Sequence, residues 1–247
     1  MRWTAKPAIS LDRALTDPAL FGPLFEGASW DAWRAFVRAV YALPMTEADL
    51  EVYHRCTGRQ TPPEAPASEV WCIAGRRAGK SRMAALLAVY VAAFRQYRKH
   101  LAPGEKPTVV VIAADRQQAR VVFRYVTGLL DAVPMLRRMV ERRTQSAVEL
   151  VGNVVIEVHT SSYRTTRGYS FAAVIADEAA FWRDETSASP DVEVLNAVRP
   201  ASPRSPARSS SASRAPTAEG ERCGRPSRTT TARTATRCSS GRPRPGK

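Results

Sequence analysis

Residues 70–81 read Val70-Trp71-Cys72-Ile73-Ala74-Gly75-Arg76-Arg77-Ala78-Gly79-Lys80-Ser81. An apolar run typical of a strand ends at Ala74 and enters a turn that contains two glycines. Apolar residues then recur at helical spacing from Met83 to Phe94. A strand, a glycine-bearing loop, Gly-Lys-Ser and a helix are the context of a phosphate-binding P-loop. The stretch therefore predicts an α/β fold with a nucleotide site where this helix begins.

The residues expected to hold the phosphates of ATP are Ala74, Gly75, Arg76, Arg77, Ala78, Gly79, Lys80 and Ser81. Backbone N–H groups of the loop and of the helix N-terminus would bind phosphate oxygens. Lys80 would add positive charge at the β- and γ-phosphates, and the Ser81 hydroxyl would ligate Mg²⁺. Ala74 departs from the usual spacing, because it stands where the first glycine is expected. The alternative is an ordinary basic loop before a helix.

A second apolar run, Phe171-Ala172-Ala173-Val174-Ile175-Ala176, leads directly into Asp177-Glu178. A buried parallel strand reads as a continuous apolar run, and ligands bind at its carboxyl end. Asp177 would hold Mg²⁺, usually through the water shell of the ion. Glu178 would orient and activate the water that attacks the γ-phosphate. The alternative is an acidic helix N-terminus that complements the helix dipole.

Hydrolysis also needs positive charge at the γ-phosphate in the transition state. Arg76 lies within the loop, and Arg167 lies shortly before the acidic strand. We predict that one of these two arginines supplies that charge. The alternative for each is a solvated surface charge.

Residues 1–64 read as a helical segment and a linker. Ser29 is a candidate N-cap for a helix with an aromatic and aliphatic face, and Thr46 is a candidate start for a shorter helix. The members of that face are Trp30, Trp33, Val37, Val40 and Tyr41. Such a face could stack nucleic acid bases, but at this spacing it is more often core. Residues 57–68 contain three prolines and predict a linker.

Residues 65–200 read as the core of the fold. A buried strand is predicted at 108–114, followed by a helix capped by Asp115. Two further runs, 147–151 and 154–158, flank Gly152-Asn153 and predict a β-hairpin. Strands that alternate with helices predict a mainly parallel sheet sandwiched by helices.

The net charge of +14 is concentrated at the end of the chain. Residues 201–247 carry eleven Arg and Lys against two Glu, so they hold +9, and residues 1–200 hold +5. Four cysteines show neither metal-ligand spacing nor a disulfide pattern. We find neither a membrane-spanning run nor a signal peptide, and expect a cytoplasmic location in a host cell.

The motifs at 75–81 and 174–181 resemble those of the large subunit of tailed-phage terminases. The similarity includes Arg167-Gly168 before the acidic strand and Thr57-Gly58-Arg59 before the loop, and it covers roughly residues 20–200. It implies an ATP-driven motor that packages double-stranded DNA into a capsid. It also implies a homo-oligomeric ring on a portal protein, with a small subunit that selects the DNA. The nuclease domain that the resemblance implies has no match in this sequence.

Residues 201–247 contain no Val, Ile, Leu, Met, Phe, Tyr or Trp. Such a segment cannot bury enough apolar surface to fold, so we predict a disordered basic tail. It could serve as a DNA-binding arm, but we expect it to be an out-of-frame product of a longer gene whose frame shifts near 199–205. Sequencing the coding DNA should show another frame that stays open past residue 247. Early stop codons in both other frames would contradict this expectation.

Two other function classes remain open from the sequence. One is a nucleic-acid-binding fragment without catalysis, and the other is a P-loop DNA motor of the helicase type. Measurable ATP turnover excludes the first, and DNA-stimulated turnover without strand separation excludes the second.

Overall fold

A computed structural model of the protein describes residues 7–97, 101–160 and 170–182, together with the backbone of a strand at 235–238. Within residues 7–70, the α-helices are α1 (Leu11–Thr16), α2 (Asp31–Val40) and α3 (Glu47–Thr57). Thr46 caps α3 as predicted, in a reciprocal capping box with Asp49. The prediction that Ser29 caps α2 is wrong. Residues Ala28–Trp30 form a 3-10 turn, so the helix begins only at Asp31.

Arg38 on α2 joins the three N-terminal helices. Its Nε donates to Asp12 Oδ1 of α1 at 2.9 Å, and its guanidinium also pairs with Asp49 of α3. Burial raises the pKa of Asp49, but hydrogen bonds from Thr46 and the charge of Arg38 outweigh burial and lower that pKa. The N-terminal helices are therefore held to each other by polar contacts as well as by packing.

The strands and helices that follow are β1 (Trp71–Ala74), α4 (Lys80–Phe94), β2 (Pro107–Ala113), α5 (Arg116–Ala132), α6 (Pro134–Arg138), β3 (Val140–Arg143), β4 (Ala147–Leu150), β5 (Val154–Thr160) and β6 (Ser170–Ala176). They alternate from β1 to α5, as the sequence predicts, and four strands in succession come after α6. The Asp115 side chain accepts from Gln118 N and caps α5 as predicted. The predicted hairpin is β4–β5, and Gly152 and Asn153 at its turn both have positive φ. Strand β3 was not predicted from the sequence.

The described strands form a five-stranded sheet in the order β3-β4-β5-β2-β6. Strand β2 pairs in parallel with both β5 and β6, and the hairpin strand β4 runs antiparallel to β5. Strand β3 is antiparallel to β4, so it runs in the direction of β5. The prediction of an α/β fold with a mainly parallel sheet and flanking helices is confirmed. The carboxyl ends of β2 and β6 lie at the same edge of this sheet.

Strand β1 lies outside this sheet in the described part of the chain. It pairs in parallel with a short strand, β7 (Ala235–Cys238). Main-chain hydrogen bonds can pair an open strand edge with a segment that lacks large apolar side chains. These four residues are therefore an exception to the disorder predicted for 201–247. The rest of that tail, and the reading-frame shift near 199–205, lie outside the described residues.

The main hydrophobic core lies on one face of β2 and includes α4 and α5. Val109 and Val111 point into it, whereas Val110 and Ile112 belong to a separate cluster with Phe171 and Trp182. This alternation is the period of a strand. The N-terminal segment joins the main core through side chains that include Leu11, Phe21, Phe25 and Val37. Among the described residues, no helix is long and apolar enough to span a membrane.

Candidate functional site

The 74–81 loop connects β1 to α4, as the sequence predicts. Gly79 is the N-cap of α4, with φ of 84° and ψ of 13°, a left-handed conformation that suits glycine. A Cβ at this position would lie 3.1 Å from Cη2 of Trp30. The backbone angles therefore favour glycine at position 79, and a Cβ there would also crowd the indole ring. Arg77 also has a positive φ, of 60°, so the loop turns sharply at two points.

The Lys80 side chain extends back toward the first residues of the 74–81 loop. Its Nζ donates to the carbonyl oxygens of Ala74 at 3.2 Å and Gly75 at 3.1 Å. The ammonium group therefore lies beside the first residues of the loop, although Lys80 itself belongs to the first turn of α4. A positive charge is thus placed at the helix N-terminus, where the exposed N–H groups also attract anions.

Ser81 and Asp177 meet although 96 positions separate them in the sequence. The Ser81 hydroxyl donates to Asp177 Oδ2 at 2.9 Å. Asp177 is only 4% exposed, and it follows β6 at the edge of the sheet where β2 also ends. The predicted magnesium ligands therefore come from two distant segments and face each other at the carboxyl end of the sheet.

Gln118 is the third side chain of this cluster. Its Nε2 donates to Ser81 Oγ at 2.9 Å and to Asp177 Oδ2 at 3.0 Å. Sequence reasoning found Asp115 as the cap of α5 but missed Gln118 in the first turn of the same helix. The order of the elements could have indicated Gln118. Helix α5 follows β2, so it begins at the same edge of the sheet where Asp177 follows β6.

The oxygen atoms of this cluster fit a magnesium ion. Mg²⁺ prefers oxygen ligands and is usually held by one or two side chains, with phosphates and water completing its shell. The Ser81 hydroxyl and the buried Asp177 carboxylate, 2.9 Å apart, can both face one ion or its bound water. Ser81 and Asp177 are therefore the residues that would hold the ion.

Glu178 follows Asp177 in a left-handed backbone conformation, with φ of 53° and ψ of 40°. This conformation is uncommon outside glycine and costs about 1–3 kcal/mol. Two hydrogen bonds hold the turn: Phe181 N donates to Glu178 O at 2.8 Å, and Trp182 Nε1 donates to Asp177 O at 3.1 Å. The buried indole of Trp182, which sequence reasoning also missed, therefore stabilises the bend after β6.

The structure describes only some of the arginines that the sequence singles out. Arg76 and Arg77 are exposed on the 74–81 loop. Arg167 lies outside the described residues.

Cys72 lies on β1, the strand that leads into the loop. Burial raises the pKa of its thiol to about 11, so this thiol stays protonated near neutral pH and is a poor nucleophile.

Fold and site together define an α/β protein whose glycine-bearing loop is followed by a lysine that bonds the loop carbonyls and a serine that bonds a buried aspartate. Its solved structural neighbours include the large terminase of bacteriophage HK97, at 17% sequence identity and a TM-score of 0.48. That match covers 76% of this chain and 34% of the HK97 chain, so this chain spans about a third of the length of that terminase.

The ATPase domain of the large terminase of Thermus phage P74-26 also matches, at 16% identity and a TM-score of 0.37. The match covers 65% of this chain and 64% of that domain. Both neighbours are large terminases. No protein-family model and no curated protein matches this chain.

Proposed function

We propose that this chain is the ATPase motor module of a phage DNA-packaging terminase. In this role it hydrolyses ATP to move double-stranded DNA into a capsid, as part of a homo-oligomeric ring on a portal protein with a small subunit. The observation that carries the proposal is the meeting of Ser81 with Asp177 at 2.9 Å. This contact joins the predicted phosphate loop to the predicted acidic strand at one point.

Each residue of the cluster has a separate task in the proposed reaction. Lys80 and the loop N–H groups bind the phosphate chain and hold it at the N-terminus of α4. Ser81 and Asp177 would hold a magnesium ion, which would neutralise negative charge on the phosphate chain. Gln118 fixes the orientation of both ligands through its two hydrogen bonds. Glu178 accepts a proton from the attacking water.

The experiment that tests the proposal measures two properties of the full chain. Mg·ATP should raise its melting temperature, because a ligand that binds only the folded state stabilises it. ATP turnover should rise when double-stranded DNA is added, without separation of the strands. Strand separation would favour a helicase-type motor instead.

A second candidate function is a nucleic-acid-binding fragment that does not hydrolyse ATP. The observation in its favour is that β1 pairs with β7 and not with the five-stranded sheet in the described part of the chain. Ile73 on β1 is 56% exposed, which is unusual for the strand that leads into a phosphate loop. Absence of ATP turnover together with retained DNA binding would favour this candidate.

Arg76→Ala or Arg167→Ala should lower ATP turnover far more than it lowers nucleotide affinity. An arginine that contacts the γ-phosphate in the transition state accelerates hydrolysis by about 10³–10⁵. Steady-state turnover and equilibrium nucleotide binding should be measured for both variants, with Arg138→Ala, an exposed arginine on α6 outside the loop, as control. If both variants retain wild-type turnover, neither arginine has this role.

A further inference from the structure

The N-terminal segment contacts the 74–81 loop directly. The indole Nε1 of Trp33, on α2, donates to the Ala78 carbonyl oxygen at 2.7 Å, across 45 positions of sequence. This hydrogen bond is short and part-buried. It fixes one peptide group of the loop from outside the loop itself.

Further contacts of Gly79 and Arg82 hold the start of α4 against the N-terminal segment. The Trp30 ring lies against Gly79, close enough that a Cβ there would be 3.1 Å from Cη2. The Arg82 guanidinium, in the first turn of α4, lies 4.7 Å from the Phe25 ring centroid and 5.1 Å from that of Trp30. Arg82 also donates to the Leu24 carbonyl. The start of α4 is thus packed against Phe25 and Trp30 of the N-terminal segment.

The Ala78 carbonyl and the Gly79 N–H belong to one planar trans peptide, so they point in opposite directions. A donor that holds the carbonyl toward α2 therefore turns the Gly79 N–H away from α2. Resting on the proposed function, we propose that Trp33 is a positioning residue for phosphate binding. Its indole N–H fixes the Ala78–Gly79 peptide so that the Gly79 N–H is presented to the phosphate chain.

A purely structural role for Trp33 predicts a different result. Its ring packs edge to face against Phe36, with centroids 5.4 Å apart, so the indole also contributes apolar contact. Trp33→Phe keeps an aromatic ring there and removes the N–H donor. Under a packing role, this variant would lose some stability but would bind phosphate chains as the wild type does.

The test compares Trp33→Phe with two control variants in the full chain. Trp71→Phe also removes an indole donor, one that bonds Glu69 Oε1 at 2.8 Å outside the loop. Val37→Ala removes buried apolar volume from the same helix, so it lowers stability but keeps the Trp33 N–H donor. Calorimetry with tripolyphosphate measures phosphate binding, and amide hydrogen exchange over residues 75–81 measures loop order without any ligand.

We expect tripolyphosphate to bind about five- to tenfold more weakly to Trp33→Phe, in line with the loss of one ordering hydrogen bond. Amide exchange in 75–81 should be faster in this variant, and both controls should match the wild type. Wild-type affinity and exchange in Trp33→Phe would overturn the positioning role. If the wild type binds no tripolyphosphate, the proposed function fails, and amide exchange alone then decides whether Trp33 orders the loop.

Discussion

Lys80→Ala should abolish ATP binding while leaving the fold intact. The lysine places the one ammonium charge of the 74–81 loop beside Ala74 and Gly75, where the phosphate chain is expected to lie. Its removal takes away the main attraction for the β- and γ-phosphates. The two hydrogen bonds lost are partly exposed, so the free energy of unfolding should fall by only about 1 kcal/mol.

The measurement is the shift in melting temperature that Mg·ATP produces. At a concentration one hundred times the Kd, binding stabilises the folded state by about 2.7 kcal/mol, so a lost shift is easily detected. Lys106→Ala is the matched control, because Lys106 lies outside the 74–81 loop and makes an exposed ion pair with Glu149 at 3.4 Å. Equal nucleotide affinity in Lys80→Ala and the wild type would contradict the P-loop prediction.

Local patterns predicted most of the elements that build the site. The loop, the start of α4, the Asp115 cap and the β4–β5 turn each depend on residues within a few positions of one another. Capping chemistry and glycine conformation act over that range, so the sequence contains the information directly. The pairing of the two motifs in the sequence also predicted one shared site, and Ser81 does contact Asp177, although β1 lies outside the sheet that contains β6.

Contacts between distant side chains were not predictable in the same way. The bond from Trp33 to Ala78 spans 45 positions, and the bond from Gln118 to Asp177 spans 59. Nothing in the local sequence of either residue indicates its partner. The periodicity of the sequence places Trp33 on an apolar face, and in the structure Trp33 does pack on the core. Its polar edge, which the periodicity of apolar residues does not register, contacts the loop.

The placement of β1 was a further limit of the sequence. An apolar strand before a P-loop predicts burial in the central sheet, but Ile73 is largely exposed and β1 pairs with β7. Pairing depends on which edges are available once the other strands are placed, and this is a property of the whole fold. The Ser29 cap also failed, because a 3-10 turn lies where the helix was expected to start.

Glu178→Gln should keep Mg·ATP bound but reduce hydrolysis by about 10²–10⁴, the usual contribution of a general base. The amide has the size of the carboxylate but cannot take a proton from the attacking water. Glutamine at position 178 would adopt the same left-handed backbone conformation as glutamate, with φ of 53°, so the substitution adds no new strain at the turn. Single-turnover hydrolysis and equilibrium ATP binding should be measured on the same preparation.

Asp177→Asn is the contrasting variant, because it acts on the ion and not on the water. Asp177 is buried and bonded to both Ser81 and Gln118, so loss of its charge should weaken ATP binding when Mg²⁺ is present. Binding measured with EDTA should change little in this variant. The two neighbouring substitutions should thus separate, one affecting hydrolysis and the other affecting magnesium-dependent binding. Hydrolysis at the wild-type rate in Glu178→Gln would show that another residue positions the water.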